Sequence, residues 1–276
     1  MTYKTILVHV DASSAAEQRF RFGAGLARSF DAHLTGCAPT GISRFIPPDV
    51  VVRESTPLAD FCATMRANAT DSLQRFAQIV SEEDVRRVEQ RMIDDDASGI
   101  ALHARYADLV VLSQPDDAMP TRGSASDLPG YLLRESGRPL LVVPRISCRP
   151  GTPDKVLLAW DGSMEATRAI VGALPLLRVA GSVSIVSMHR GRTRPDDGAL
   201  CSAMEHYLQR QGVSIQTHYC LEGNDAGTAL LSVANDEKGD LLVMGGYGRS
   251  PLRESVLGGV TATVLHSMTL PVLLAH

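Results

Sequence analysis

The sequence predicts an α/β fold built as two tandem doubly wound domains. Three observations carry the prediction. A structural unit is written twice within the 276 residues. Each copy alternates short apolar runs with segments of helical spacing, the pattern of βαβ units. The apolar runs are nearly continuous, as parallel strands buried on both faces require.

The repeat is the strongest of these signals. "KTILVHVDAS" opens the first half and "DKVLLAWDGS" opens the second, with Asp11 matching Asp161 at an offset of 150. Ala16, Phe20, Gly23, Ala24 and Ala27 follow the first Asp. Ala166, Ile170, Ala173, Leu174 and Leu177 follow the second, and each set lines one face of a helix. The halves also end alike: "ADLVVLSQ" leads to "RPLLVVPR", and "GDLLVMGG" leads to "LPVLLAH". Asp108 to Pro139 and Asp240 to Pro271 both span 31 residues, so the offset here is 132. The second copy is therefore 18 residues shorter in its middle (150 less 132), and the extra length of the first is expected near "SRFIPPDVVVRESTP". The expected domains are 1–147 and 152–276, joined through "ISCRPGTP" at 146–153.

In the second copy the pattern predicts strands near 155–160, 182–188, 213–220, 240–245 and 271–275. Helices are predicted near 163–179, 197–211, 225–236 and 257–267, with Pro175 kinking or shortening the first. Right-handed crossovers then wind each copy into a parallel sheet.

Composition excludes several classes. Net charge is −4 and the sequence pI about 6.1, with no clustered Lys and Arg to grip nucleic acid or an anionic membrane. No apolar run approaches the roughly 20 residues that span a bilayer. "MTYKTILVHVDASS" reads as a buried strand rather than a leader. The five cysteines form no CxxC pair, which predicts reduced thiols in a cytoplasmic protein. The eight histidines show no metal spacing; His9, inside a strand, reads as a core residue, and His189 as a pocket-rim candidate. No G-x-S-x-G elbow is present. The acidic runs "SEED", "DDD" and "PDD" read as solvated loop or helix-end charge.

The chemistry concentrates in "GGYGRSPLRESVLGGVT", residues 245–261. It follows the fourth strand of the second copy and leads into a helix. In a doubly wound sheet ligands bind beyond the carboxyl ends of the strands, at the switch point of strand order. Strands 1 and 4 are neighbours there, which places Asp161 beside Gly245. Gly258 and Gly259 would let an anion approach the N–H groups of the helix start without a Cβ in the way. Arg249 adds a cation, and Met188 and Met244 an apolar wall for a base. The dinucleotide fingerprint would follow a first strand, and no Walker A lysine is present.

The spacing Gly245-x2-Gly248-x9-Gly258 resembles the nucleotide loop of the universal stress protein family, G-x2-G-x9-G followed by Ser or Thr. "DGS" at 161–163 resembles that family's first-strand motif, and "LPVLLAH" its last strand. The resemblance covers nearly the whole chain as two tandem copies and is specific in the second. It implies a Rossmann-like five-stranded sheet in order 3-2-1-4-5 and, for many members, bound ATP, with or without Mg²⁺. It puts Asp161 and Ala159 at the nucleoside, Met188 beside adenine, and Gly245 and Gly248 on the ribose and phosphate side. Gly258 falls at the phosphate end, with Gly259, Val260 and Thr261 opening the helix. Two positions depart from the family's pattern: Gly259 stands for the usual Ser or Thr, and Ala159 for a common Pro.

The first copy departs further. Gly245, Gly248, Gly258 and Gly259 map to Ser113, Asp116, Ser126 and Asp127, with Asp117 nearby. Carboxylates there would repel a phosphate. The expectation is one adenine-nucleotide site per chain, in the second copy, in a regulatory stress-response protein with at most slow hydrolysis. The alternative is a nucleotide-free scaffold whose glycine loop is structural. The last strands of the copies are edge strands expected to pair with each other within the chain, and a homodimer is expected.

Overall fold

The central strands form where the sequence runs apolar without a break, and the outer ones carry polar residues. The computed structural model describes residues 2–46, 57–115, 127–189, 197–222, 225–247 and 259–276. Within them the chain falls into two compact units, Tyr3–Arg138 and Pro139–His276.

The N-terminal unit runs β1 (Thr5–His9), α1 (Ala16–Phe30), β2 (His33–Pro39) and a 3₁₀ turn (Ile42–Arg44). It continues with α2 (Pro57–Glu82), β3 (Val88–Ile93), α3 (Ala97–Ala104), β4 (Leu109–Ser113) and α4 (Leu128–Glu135). Its strands are parallel in the order β3-β2-β1-β4. Ile6, Leu7 and Val8 of β1 and Leu109 to Leu112 of β4 are all buried, because helices cover both faces.

The C-terminal unit holds β5 (Leu140–Val143), β6 (Lys155–Trp160), α5 (Met164–Leu177), β7 (Ser182–His189) and α6 (Asp197–Arg210). Then come β8 (Ile215–Glu222), α7 (Ala226–Asp236), β9 (Leu241–Gly245), α8 (Gly259–Ser267) and β10 (Val272–Ala275). The five strands of the second copy are parallel in the order β8-β7-β6-β9-β10, which is the expected 3-2-1-4-5. The unit also takes in β5, the fifth strand of the first copy. It lies antiparallel to β10, with Val142 opposite Val272 and Leu140 opposite Leu274. Both strands are wholly apolar and buried, so each covers an edge the other would expose.

The copies share a fastening at the start of their first strands. Asp108 accepts the N–H groups of Lys4 and Thr5, and Asp240 those of Asp154 and Lys155. They differ in their middles. α2 has 26 residues against 14 in α6, and residues 40–56 precede α2 where 190–196 precede α6. The extra length of the first copy thus lies partly in a longer helix. Helix α5 passes through Pro175 and stops two residues later at Leu177, short of the predicted 179. Pro175 has no N–H to give the carbonyl four residues back, which fits a helix that ends two residues later.

The "DDD" run acts as helix-end and loop charge. Asp94 pairs with Arg66, and Asp95 accepts from Ser43 and Ser98. Asp96 caps α3 through Ser98 and pairs with Arg44 at 2.8 Å. None of the helices among the described residues is long and apolar enough to cross a membrane.

Candidate functional site

The candidate site lies at the carboxyl ends of β6 and β9, adjacent parallel strands in register Val156↔Leu241 to Leu158↔Val243. Asp161 therefore follows one strand tip and Gly245 ends its neighbour. The "DGS" turn is built locally. Gly162 sits at φ +74°, a left-handed conformation that favours glycine. Asp161 Oδ1 accepts the Ser163 N–H at 3.0 Å. Ser163 in turn caps α5, its Oγ accepting from Ala166 N at 3.1 Å. Asp161 itself is exposed, with that one bond among the described residues.

The stem of the glycine loop is held from two sides. Gly246 N donates to Ala275 O at 2.8 Å, and His276 Nδ1 meets Gly246 O at 3.1 Å. Tyr247, at φ +57°, donates its N–H to Thr261 Oγ1 at 3.2 Å. Thr261 is buried, so its hydroxyl fastens the loop stem to α8. Gly245 has a packing reason of its own: a Cβ there would lie 2.6 Å from Ala166 N, inside the first turn of α5. Gly259 is different. It is exposed, and a Cβ on it would meet nothing within 4 Å among the described residues.

Of the remaining candidates, Ala159 and Met244 are buried within their strands, and Val260 is half-buried. Met188 lies in β7 next to His189, where only the backbone is described. Gly248, Arg249 and Gly258 lie outside the described residues. Among the described residues no group of three or more His, Cys, Asp or Glu side chains could hold a metal ion. The sequence reading passed over Trp160, which precedes Asp161. Its indole is buried, and its N–H has no partner among the described residues.

The equivalent tip of the N-terminal unit is wired differently. Arg19 of α1 reaches between the two strand ends, and its side chain is 1% exposed. Its Nη2 donates to Asp11 Oδ1 at 2.8 Å and its Nη1 to Ser113 Oγ at 2.6 Å. The guanidinium carbon lies 5.3 Å over the Phe20 ring centre. Ser13 adds its N–H and hydroxyl to Asp11 Oδ1. Burial alone would raise the Asp11 pKa. The Arg19 charge, the neighbouring His9 and the hydrogen bonds from Ser13 and Arg19 outweigh it and hold the carboxyl well below the usual range. Burial pushes the His9 imidazole down to about 4, although Asp11 pulls the other way. His9 is thus a neutral near-core residue whose Nδ1 lies 3.5 Å from Asp11.

By the repeat, His9, Arg19 and Ser113 correspond to Ala159, Ala169 and Gly245. The network was missed because Arg19 was not weighed against its neighbours. It stands on the buried face of α1, three residues after Ala16, and its counterpart is Ala169; that mismatch was the available signal. Further along, Asp127 caps α4, its Oδ1 accepting from Gly130 N at 3.0 Å, while Asp116, Asp117 and Ser126 lie outside the described residues.

The comparisons with known proteins bear on the family resemblance and the fold. The family model described as the universal stress protein family matches residues 153–276. A universal stress protein of Synechocystis sp. is 29% identical over 147 residues, which are 51% of this chain and 48% of that protein. The match thus spans about half the length of that curated relative. A solved universal stress protein of Archaeoglobus fulgidus superposes with a TM-score of 0.71 at 16% identity, over 98% of this chain and 95% of that one. A solved chain from Pseudomonas aeruginosa gives 0.62 at 18% identity, over 98% and 92%. At such identities these structures speak for the fold over the whole length, and the family model speaks for the C-terminal half. The C-terminal half is thus similar to the universal stress protein family, whose model it matches over residues 153–276.

Proposed function

We propose that the C-terminal unit binds an adenine nucleotide, ATP with or without Mg²⁺, at one site per chain. The observation that carries this reading is the exposed Asp161 carboxylate at the switch point of the sheet. Small residues replace the side chains that fill the equivalent place in the first copy: Ala159, Ala169 and Gly245. A carboxylate left to solvent at the tips of the central strands suits ribose hydroxyls. The absence of a side chain at Gly259 suits the approach of a phosphate to the start of α8. The protein then works as a regulatory stress-response protein of the cytoplasm. Its nucleotide state alters what it binds, in a homodimer or with other partners, and hydrolysis is slow or incidental.

Calorimetric titration of ATP tests the reading, with Trp160 as an intrinsic fluorescence reporter next to Asp161. One site per chain that disappears in Asp161→Ala is the expected result. Two sites, or binding indifferent to Asp161→Ala, would count against it.

Two observations favour a second reading, a nucleotide-free scaffold. Packing against α5 alone accounts for Gly245, and the bond to Tyr247 alone accounts for Thr261. Mass spectrometry of the denatured purified protein separates the two. Retained adenine nucleotide supports the first, and none at any ATP concentration supports the second.

A further inference from the structure

We infer that the N-terminal unit carries a built-in substitute for a ligand: Arg19 closes the crevice at its switch point, Asp127 supplies the anion at the start of α4, and these two side chains decide which half of the chain takes a nucleotide. The inference rests on the reading of the C-terminal unit as the nucleotide-binding one.

In a sheet ordered β3-β2-β1-β4 the crevice for a ligand opens between the carboxyl ends of β1 and β4. Arg19 spans that crevice. One nitrogen bonds Asp11, just past β1, and the other bonds Ser113, the last residue of β4. Its third nitrogen, Nε, is buried without a partner among the described residues. A guanidinium so placed is a costly filler for a core. Both bonds it does make go to the two walls of the crevice. It gives Asp11 the donors and the positive charge that a bound solute would otherwise bring, and it takes the room.

Asp127 does the complementary thing at the helix start. Its carboxylate sits on Gly130 N, where the helix end favours an anion. The fit depends on the glycine, because a Cβ on Gly130 would collide with that carboxylate. So a cation and an anion of the protein itself occupy the two places where the sheet and the helix would otherwise hold a charged ligand. At the matching positions of the C-terminal unit stand Ala169, Gly259 and Ala262. Both substitutes are missing there, and so is the glycine that would admit the second.

Moving the substitutes across tests the inference. ATP is titrated into the full chain, into Ala169→Arg and into Gly259→Asp/Ala262→Gly, with circular dichroism confirming that each is folded. Each variant should bind ATP roughly a hundredfold or more weakly than the unaltered chain. Should Ala169→Arg fail to fold, the second variant still decides for the anion, and Arg19→Ala decides for the cation. The Arg19→Ala chain should regain stability, or regain folding, in about 10 mM methylguanidinium and not in equal sodium chloride, because the cation returns to Asp11. Folded variants that bind ATP like the unaltered chain overturn the inference and leave the proposed function standing. An unaltered chain that binds no ATP overturns the proposed function instead. The Arg19→Ala arm then decides alone: equal effects of methylguanidinium and sodium overturn the inference.

Discussion

Asp11 and Asp161 stand at the same place in two copies of one unit, and each accepts the N–H of the serine two residues on at 3.0 Å. Around Asp11 the chain supplies a buried arginine, a serine hydroxyl and a neutral histidine. Around Asp161 it supplies alanines and a glycine. One carboxylate is neutralised inside the protein, and the other is left to whatever the solvent brings. The strand order around the two carboxylates is the same, and the first tip is closed by three side chains, those of His9, Arg19 and Ser113. Duplication holds the frame constant and shows which residues belong to the frame and which to the site.

The comparison breaks most severely at Arg19. Arg19→Ala leaves Asp11 without its partner. The loss should be about 3 kcal/mol in a urea titration, toward the low end for such pairs because Asp11 is a third exposed. Asp161→Ala should cost less than about 1 kcal/mol by the same measurement. Losses of equal size would show that the two carboxylates do the same job.

Acid sharpens the contrast next. The folded His9 pKa, about 4, lies below the unfolded value of about 6.5. Between those values the unfolded chain binds the extra proton, so stability falls as pH drops from about 6.5 to about 4. The size is about 3 kcal/mol. Asp11, also depressed, adds a loss that begins below its unfolded pKa of about 3.9. Thermal melts across this window should flatten in His9→Ala, which copies Ala159 of the second unit. A slope unchanged by that substitution would assign the effect elsewhere.

Smaller effects belong to the open tip. A side chain at Gly259 meets open space, so Gly259→Ser should fit without strain. It restores a hydroxyl for a phosphate and should tighten ATP binding about tenfold, about 1–2 kcal/mol, by calorimetry. Ser163→Ala removes the cap of α5 and should lower the unfolding free energy by about 1 kcal/mol, with a matching fall in the urea midpoint.

Much of this frame was legible in the sequence. The runs "ILV", "LVVL" and "VLLAW" are apolar throughout because both faces of their strands are covered, and that demand shows in any single stretch. The repeat aligns the two copies, and the doubly wound strand order sets Asp161 beside Gly245. What stayed hidden depends on distance along the chain. Arg19 meets Ser113 94 residues away, and Tyr247 meets Thr261 only because the loop closes. No local pattern announces either bond. Gly245 is ambiguous in a different way: a glycine that invites a ligand and one that makes room for a helix look the same in a sequence.

The placement of β5 bears on how the protein is made. Val142 pairs with Val272, so about 130 residues must be synthesised before this apolar strand can meet its antiparallel partner. At roughly 5–20 residues per second, that interval is about 7–26 s. During that time a sticky, uncovered strand waits on the nascent chain. A fragment beginning at residue 152 inherits the opposite problem, since β10 then has an open edge for good. Dissection of the chain should cut ahead of Pro139, leaving β5 with the half it completes.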